Sequence, residues 1–581
     1  MTILGTLLAR GYFPKELPPF FFTSDFARYA TSRAGRRVLS AYKPVGNYTE
    51  CVSYHLALAG GDRRHLQLPH PATFTALAQL TAAHFPRLLK KTGQSKLSKS
   101  RPVFGVTRFR ALHTSVLPGN VRREIALCRS GSAYLLKVDI SQFYPSLYTH
   151  AVGWAIDPKL RDRANWKNKK FLGQHLDQAL MNLQGKVSQG IPIGNDISFL
   201  LAEAVLASID RAAQLPTDRS CRWFDDYHLS FDTRDEAERC LARLKRELHK
   251  FRLRINPQKT KIVALPEPTE SHWGDALHDH VAEALKTRRG ILKYFDVAVR
   301  LHDQFPSEAV LMYAIGGLFQ EKPPRDDVAR IAQAAITQAM LGEPGVAQKA
   351  FALLTFWKIL GVALDLPALT HTIERMILQH DSTGVSSDVA WALAFCAQES
   401  LAIGREAGKV LQASDDDSIL LLALHFHSKG FIPSGFNPAK VAKLLATAQP
   451  DREHWLLAYE SARHRLLTPT SAITSNPLFA DMLSKDVTFF RTELLPSALV
   501  LHQGGAPEWV VRDAVRAAVA AQTKKRKQPE SKVIPIVARM IADMANIVAP
   551  GASPEDLVLE LLDAKRTKFA KEQTSDATSY G

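Results

Sequence analysis

The stretch CRWFDDYHLSF, Cys221 to Phe231, sets two adjacent aspartates between two apolar runs. Aromatic and apolar residues on both sides read as a short hairpin, with Asp225 and Asp226 at or beside its turn. Two carboxylates held that close in a partly desolvated place repel each other unless protons or cations intervene. A solvated Asp-Asp turn produces the same local pattern. The flanking sequence has to separate the two readings.

Upstream, YLLKVDI (Tyr134–Ile140) is a near-continuous apolar run of strand length that ends in Asp139. The Gly- and Pro-containing QGIPIGN follows at Gln189, and then DISFLLAEAVLASIDRAA, a helical pattern that opens with Asp196 in a capping position. After the hairpin come a charged helix, RDEAERCLARLKRELHKF, and LRINPQKTKIVALP, read as a strand pair around Asn256-Pro257. If the Asp139 strand lies beside the Asp225-Asp226 hairpin, three carboxylates converge at one sheet rim. Such a set suits two-metal phosphoryl transfer, in which ions about 4 Å apart hold a nucleophilic hydroxyl and a leaving pyrophosphate in line. Oxygen ligands suit Mg²⁺, and no His/Cys set competes for a softer metal.

In this order LLKVDISQFYPSLYTHA, QGIPIGNDISFLLAEAVLASID, CRWFDDYHLSF and LRINPQKTKI resemble the palm motifs of reverse transcriptases. The resemblance implies an α+β fold: right-hand polymerase fingers and palm with an RRM-like palm sheet. It casts Asp139, Asp225 and Asp226 as the metal-binding and catalytic aspartates, for two Mg²⁺ ions with Mn²⁺ as a substitute. Tyr144 takes the place of the steric gate that rejects a 2′-hydroxyl, its plain alternative being a core tyrosine. Gln189 and Gly190 would meet the incoming nucleotide or template, the glycine permitting close approach. Arg101, Arg108 and Arg110 lie where the fingers supply triphosphate-binding cations, and Arg110 is the one carried over. Lys259 is taken as the acid that protonates pyrophosphate, with Lys261 left open as the alternative. Trp223 departs from the family's usual tyrosine, which bears on how a primer end is placed.

RGYFPKELPPFF near the start, FYPSLYTHAVGWA after Asp139 and a long helical C-terminal half are similar to bacterial abortive-infection and defence-associated reverse transcriptases, relatives of retron and group II intron enzymes. That likeness implies Mg-dependent, RNA-directed DNA synthesis from deoxynucleoside triphosphates in antiphage defence by abortive infection. One alternative is a template-independent polymerase primed by a protein hydroxyl, for which Ser575, Ser579 and Tyr580 are available. A retron-type enzyme with its own structured RNA is another, and a catalytically silent nucleic-acid-binding assembly protein a third.

Composition agrees with a nucleic-acid partner. The 581 residues carry 74 Lys+Arg against 57 Asp+Glu, a formal charge of +17. From Arg63 to Val121 there is no acidic residue at all, a pattern that also suits a solvated face. Five scattered cysteines suit a reducing compartment. No stretch is long and apolar enough for a membrane, and the opening MTILGTLLARGYF is a poor signal peptide, so a cytoplasmic protein is expected.

Three regions are expected: an extended lead-in over 1–62 packed on the polymerase, fingers and palm over 63–270, and an all-α HEAT-like repeat domain over 271–581. Helical stretches beyond Gly290 are broken at LGEPG, DSTGVSS, HSKGFIPSGFNP and TPTSAITSNP. A solenoid of this kind offers large faces for RNA or for a homo-oligomer. Three weaker signals read as background. RMILQH (Arg375–His380) matches a ribonuclease spacing, but its ends fall about 140° apart on a helix. HFHSKG has two histidines and no further ligand, and KKRKQ from Lys524 reads as a solvated loop, with a nucleic-acid contact as the alternative.

Overall fold

The computed structural model describes residues 2–105, 110–166, 168–269, 272–383, 386–502, 508–542, 558–559 and 562. Its eight strands are β1 (Val52–Ala57), β2 (Arg63–Leu68), β3 (Pro102–Phe104), β4 (Leu112–Thr114), β5 (Tyr134–Asp139), β6 (Ser220–Trp223), β7 (Asp226–Phe231) and β8 (Lys261–Ala264). β1–β2 and β3–β4 form two antiparallel pairs, and β6-β7-β5-β8 form a four-stranded sheet, antiparallel throughout.

The four-stranded sheet follows from burial. Leu135, Leu136 and Val138 of β5 are buried almost completely, as the central strand of a covered sheet requires. The Asp196–Ala212 helix packs beside it and buries most of its own surface. Its cap differs from expectation. Asn195 supplies it, its side chain accepting the Ser198 amide at 2.8 Å, while Asp196 is the first helical residue and turns elsewhere. The expected strand pair around Asn256-Pro257 is reduced to β8 and a lone bridge from Ile255 to Ile140. Pro257 has no N–H for a ladder, and the Asn256 side chain instead accepts the Gln258 amide at 3.1 Å.

The lead-in is not extended throughout. Helices Ile3–Arg10, Ser24–Thr31 and Arg33–Ala41 flank the proline-rich run, and Thr2 and Ser32 cap the first and third of these with their hydroxyls. Gly11 to Phe22, where Pro14, Pro18 and Pro19 forbid a helix, is irregular. Its aromatic rings face both ways. Tyr12 stacks on Phe74 of the Pro71–Ala83 helix at 4.0 Å on one side. Phe13 stacks on Phe489 at 5.6 Å and Phe20 on Phe490 at 5.4 Å on the C-terminal side. Backbone bonds close the same seam: Phe22 N–H to Phe489 O at 3.0 Å and Arg491 N–H to Phe20 O at 2.8 Å. Each fully buried ring of this size contributes about 2–3 kcal/mol.

Beyond residue 271 the chain runs in two rows of helices. His272–Ala284, Val310–Leu318, Ala347–Ile359, Ser386–Glu399, Asp417–Ser428 and Trp455–Arg463 stack in one; Arg288–Gln304, Asp326–Gly342, Leu366–Thr383 and Arg405–Ala413 stack in the other. Helices alternate between rows, so each packs on its second neighbour. The first row carries the β1–β2 hairpin: the Ala57 amide donates to Ser387 Oγ at 2.9 Å. Gly345, at φ +91, lets the chain pass so close that a Cβ there would lie 2.9 Å from the Ala57 carbonyl. The basic run at Lys524 is also corrected: Lys524, Lys525 and Arg526 form the last turn of the Glu508–Arg526 helix, where cations suit the helix dipole. Among the described residues no helix is long and apolar enough to cross a membrane.

Three histidines sit in or beside the seam. Burial pushes His70 down to about 3, and His425 and His502 to about 4. The native state then refuses a proton that the unfolded chain accepts below about 6.5. Stability is therefore full above that pH and is lost as pH falls toward 4, by about 1.4 kcal/mol per pH unit for each histidine. The melting temperature is expected to fall between pH 7 and pH 5, and His502→Gln to make the fall shallower; an unchanged slope in that variant would contradict this assignment.

Candidate active site

β5 ends and β7 begins at the same rim, and Asp139 faces Asp226 directly across the ladder. The two carboxyls share a hydrogen bond, and Asp226 is pushed up to about 7 by partial desolvation, then by repulsion from Asp225 and Asp139. Asp225, half-buried in the turn, is raised by burial first and by Asp139 as well, while Arg64 and Lys259 pull it the other way. The three groups share one electrostatic environment. Asp139 and Asp226 are in direct contact, whereas Asp225 reaches them through the field: among the described residues no group of three or more His, Cys, Asp and Glu side chains stands in a ready-made metal-binding array.

The donor chemistry nevertheless fits a hard divalent cation. Burial, and after it repulsion among the carboxylates, raises Asp226 to about 7, and a cation would relieve that repulsion. Lys259 is the cation nearest this cluster by contact, its Nζ 3.4 Å from Asp139 Oδ2 with the side chain 68% exposed. Lys261 points away, to Glu267 at 3.4 Å, a carboxylate it shares with Lys137.

Tyr144 stands within electrostatic reach of Asp225. Burial raises its phenol, and Asp225 and Glu203 raise it further. Its carbonyl accepts the Ile191 amide at 3.2 Å, which ties the Tyr144 turn to the Gln189-Gly190-Ile191-Pro192 turn. Gly190 has φ +80, and a Cβ there would lie 3.3 Å from the Pro145 carbonyl, so this junction needs glycine. Gln184 Nε2 clamps the turn by donating to the Gly190 carbonyl at 3.0 Å. Gln189 itself is exposed beside it.

Arg110 is engaged in structure. It pairs with buried Asp196 at 2.5 Å and donates to the Gly194 carbonyl at 2.8 Å. Asp196 also accepts the amides of Ala111 and Leu112, at 2.7 and 3.0 Å, and so fastens β4 to the helix. The cation whose charge is felt at both Asp225 and Tyr144 from solvent is Arg64 on β2. The sequence reading passed over it; the Arg63-Arg64 doublet opening an apolar alternation was the available signal. Arg101 is exposed, and Arg108 lies outside the described residues, as do Ser575, Ser579 and Tyr580.

A second omission lies behind the turn. Arg222, with no exposed side-chain surface, forks between Glu203 at 2.7 Å and Asp210 at 2.9 Å, both also buried. His425 and His427 bond to the carbonyls of Thr492 and Ile432 at 3.1 and 2.8 Å. Arg375 is exposed, and the His380 side chain is outside the described residues.

Residues 82–289 match the family described as Reverse transcriptase (RNA-dependent DNA polymerase). The chain carries a reverse transcriptase domain, the catalytic module of RNA-directed DNA polymerases, which are nucleotidyltransferases; such domains use divalent metal ions and bind a nucleic-acid template. No curated protein matches the chain. Similar solved structures include apo telomerase from Candida tropicalis, 10% identical over 71% of this chain and 73% of that one, at a TM-score of 0.28, too low to carry any inference.

The Asp196 anchor is testable on its own. Asp196→Ala leaves two buried amides and the Arg110 guanidinium without their acceptor, and it is expected to lower stability by about 3 kcal/mol or more, read from urea unfolding. A change below 1 kcal/mol would show that water replaces the carboxylate there.

Proposed function

We propose that this chain is a reverse transcriptase whose polymerase site is the rim of β5 and β7. The reading is carried by one observation: Asp139 faces Asp226 across the ladder, with Asp225 in the adjoining turn and Tyr144 beside it, hydrogen-bonded to the Gly190 turn. Asp139, Asp225 and Asp226 would hold Mg²⁺, with Mn²⁺ as a substitute. Bound there, the cations would ease deprotonation of a primer 3′-hydroxyl and neutralise the pyrophosphate.

The chain's own groups do the rest. Tyr144 closes the floor of the sugar pocket and excludes a 2′-hydroxyl. Gly190 gives the nucleotide a backbone surface free of any side chain, and Gln189 reaches the base or template. Lys259, held by Asp139 at 3.4 Å, donates the proton that pyrophosphate takes as it leaves; Lys261, bound to Glu267, is the poorer candidate. Arg64 takes the triphosphate-facing position first given to Arg110.

Within this reading residues 63–270 are fingers and palm, 1–62 the lead-in, and 271–581 a HEAT-like repeat domain that stands in for a thumb. The two rows of alternating helices support the last assignment. The formal charge of +17 supports an RNA or DNA partner. Antiphage defence by abortive infection is proposed from the motif likeness.

Asp225→Asn with Asp226→Asn is expected to lower incorporation of labelled deoxynucleotides by about 10³-fold or more, the scale of losing several kcal/mol of charge stabilisation. The melting temperature should hold or rise, because like-charge repulsion is removed. Incorporation at the wild-type rate by the folded variant would refute the site. Running the products before and after ribonuclease and protease separates RNA copying from protein-primed synthesis. Tyr144→Ala is expected to raise ribonucleotide use relative to deoxynucleotide by about ten-fold or more, and an unchanged ratio would remove Tyr144 from the gate.

A further inference from the structure

Phe224 is the residue that delivers Asp225 to the site, and its backbone sits at φ +52, the left-handed region that bulky residues rarely enter. Both of its backbone polar groups are held by side chains from elsewhere. Its carbonyl accepts Arg222 Nη1 at 2.7 Å, and its amide donates to Ser100 Oγ at 2.8 Å. Ser100 in turn donates to Glu203 Oε2 at 3.4 Å.

Arg222 is fixed from every side. Nη2 and Nη1 donate to the two oxygens of Glu203 at 2.7 and 3.1 Å, and Nε donates to Asp210 Oδ2 at 2.9 Å. Ser95 and Tyr227 donate their hydroxyls to Asp210, at 2.6 and 2.8 Å. The Arg222 main chain is bonded as well, its amide to Leu97 O at 3.0 Å and its carbonyl to the Lys99 amide at 2.8 Å. Pairing with the two carboxylates needs only the bonds to Glu203 and Asp210. The remaining bond, to the strained residue beside Asp225, serves the turn.

We infer that Arg222 is a positioning residue for polymerisation: through the Phe224 carbonyl, with Ser100 on the Phe224 amide, it holds the Phe224-Asp225 turn in the conformation that sets Asp225 and Asp226 beside Asp139. The inference rests on reading those aspartates as the polymerase site. Arg222 touches neither substrate nor metal, so its loss acts on the rate of chemistry and on the cation requirement, while nucleotide affinity, set by Tyr144 and the Gly190 turn, is kept.

The test uses full-length protein in primer extension, measuring kcat, KM for deoxynucleotide and the Mg²⁺ concentration at half-maximal rate. Removing Arg222 alone strands two buried carboxylates, so the uncharged triple variant Arg222→Met, Glu203→Gln, Asp210→Asn is paired with the milder Ser100→Ala. Circular dichroism confirms which variants are folded, and Ser100→Ala carries the test if the triple variant is not. The expected result is a kcat lower by about 10²-fold in the triple variant, the scale of an ångström-sized misplacement. Ser100→Ala should lose several-fold, with KM within about three-fold of wild type and half-maximal Mg²⁺ raised in both. Folded variants with wild-type kcat and Mg²⁺ dependence, or with a raised KM and unchanged kcat, would overturn the inference. Asp139→Asn is run in parallel: if it polymerises at the wild-type rate, the site reading itself falls and the inference falls with it.

Discussion

A guanidinium taken out of water between two carboxylates is tolerable only when every charge in the group finds a partner, because desolvating each ion is worth several kcal/mol. Arg222, Glu203 and Asp210 meet that condition with help from Ser95, Ser100 and Tyr227, the six residues lying on three stretches of chain. The network therefore draws the 95–100 segment, the Asp196–Ala212 helix and the β6–β7 hairpin to one point. Asp139 and Asp226 sit a few residues from it, at a rim where repulsion alone would push them apart. The rigid ionic knot behind the turn is what allows an unfavourable arrangement of negative charge in front of it.

A second constraint operates at larger scale. The lead-in is shared between the Pro71–Ala83 helix and the C-terminal region, through rings that stack on Phe74 on one side and on Phe489 and Phe490 on the other. The helical rows also brace the β1–β2 hairpin at Ala57, and Arg64 on that hairpin projects its charge toward Asp225 and Tyr144. Helices far along the chain thus bear on the geometry in which a nucleotide would be received.

What the sequence disclosed and what it hid divide along physical lines. β5, the hairpin and the following helices were readable because periodicity, turn residues and apolar runs are local signals. The meeting of Asp139 and Asp226 at one rim was readable because a strand ending in Asp and an Asp-Asp hairpin are local patterns. Arg222 was hidden in an apolar-looking strand, and its partners lie 12 and 19 residues away along the chain, where no short-range pattern points to them. Arg110 stood in a plausible place, yet Asp196 had already claimed it, an ion pair spanning 86 positions. Asp196 looked like a helix cap because Asp caps helices, but Asn195 one residue earlier had the same ability and the better position. The proline-rich lead-in read as extended since proline breaks helices, whereas here the prolines only confine the break and leave helices on both sides.

The central claim is that the β5–β7 rim is where nucleotide and cation meet. The most direct measurement is an experimental structure of the protein with RNA template, a DNA primer lacking its 3′-hydroxyl, a deoxynucleoside triphosphate and Mg²⁺. The account predicts Mg²⁺ within about 2.0–2.2 Å of carboxylate oxygens from Asp139 and the Asp225-Asp226 turn, with the sugar against Tyr144 and the triphosphate toward Arg64. Nucleotide and cation bound away from that rim, with the three aspartates unligated, would contradict it.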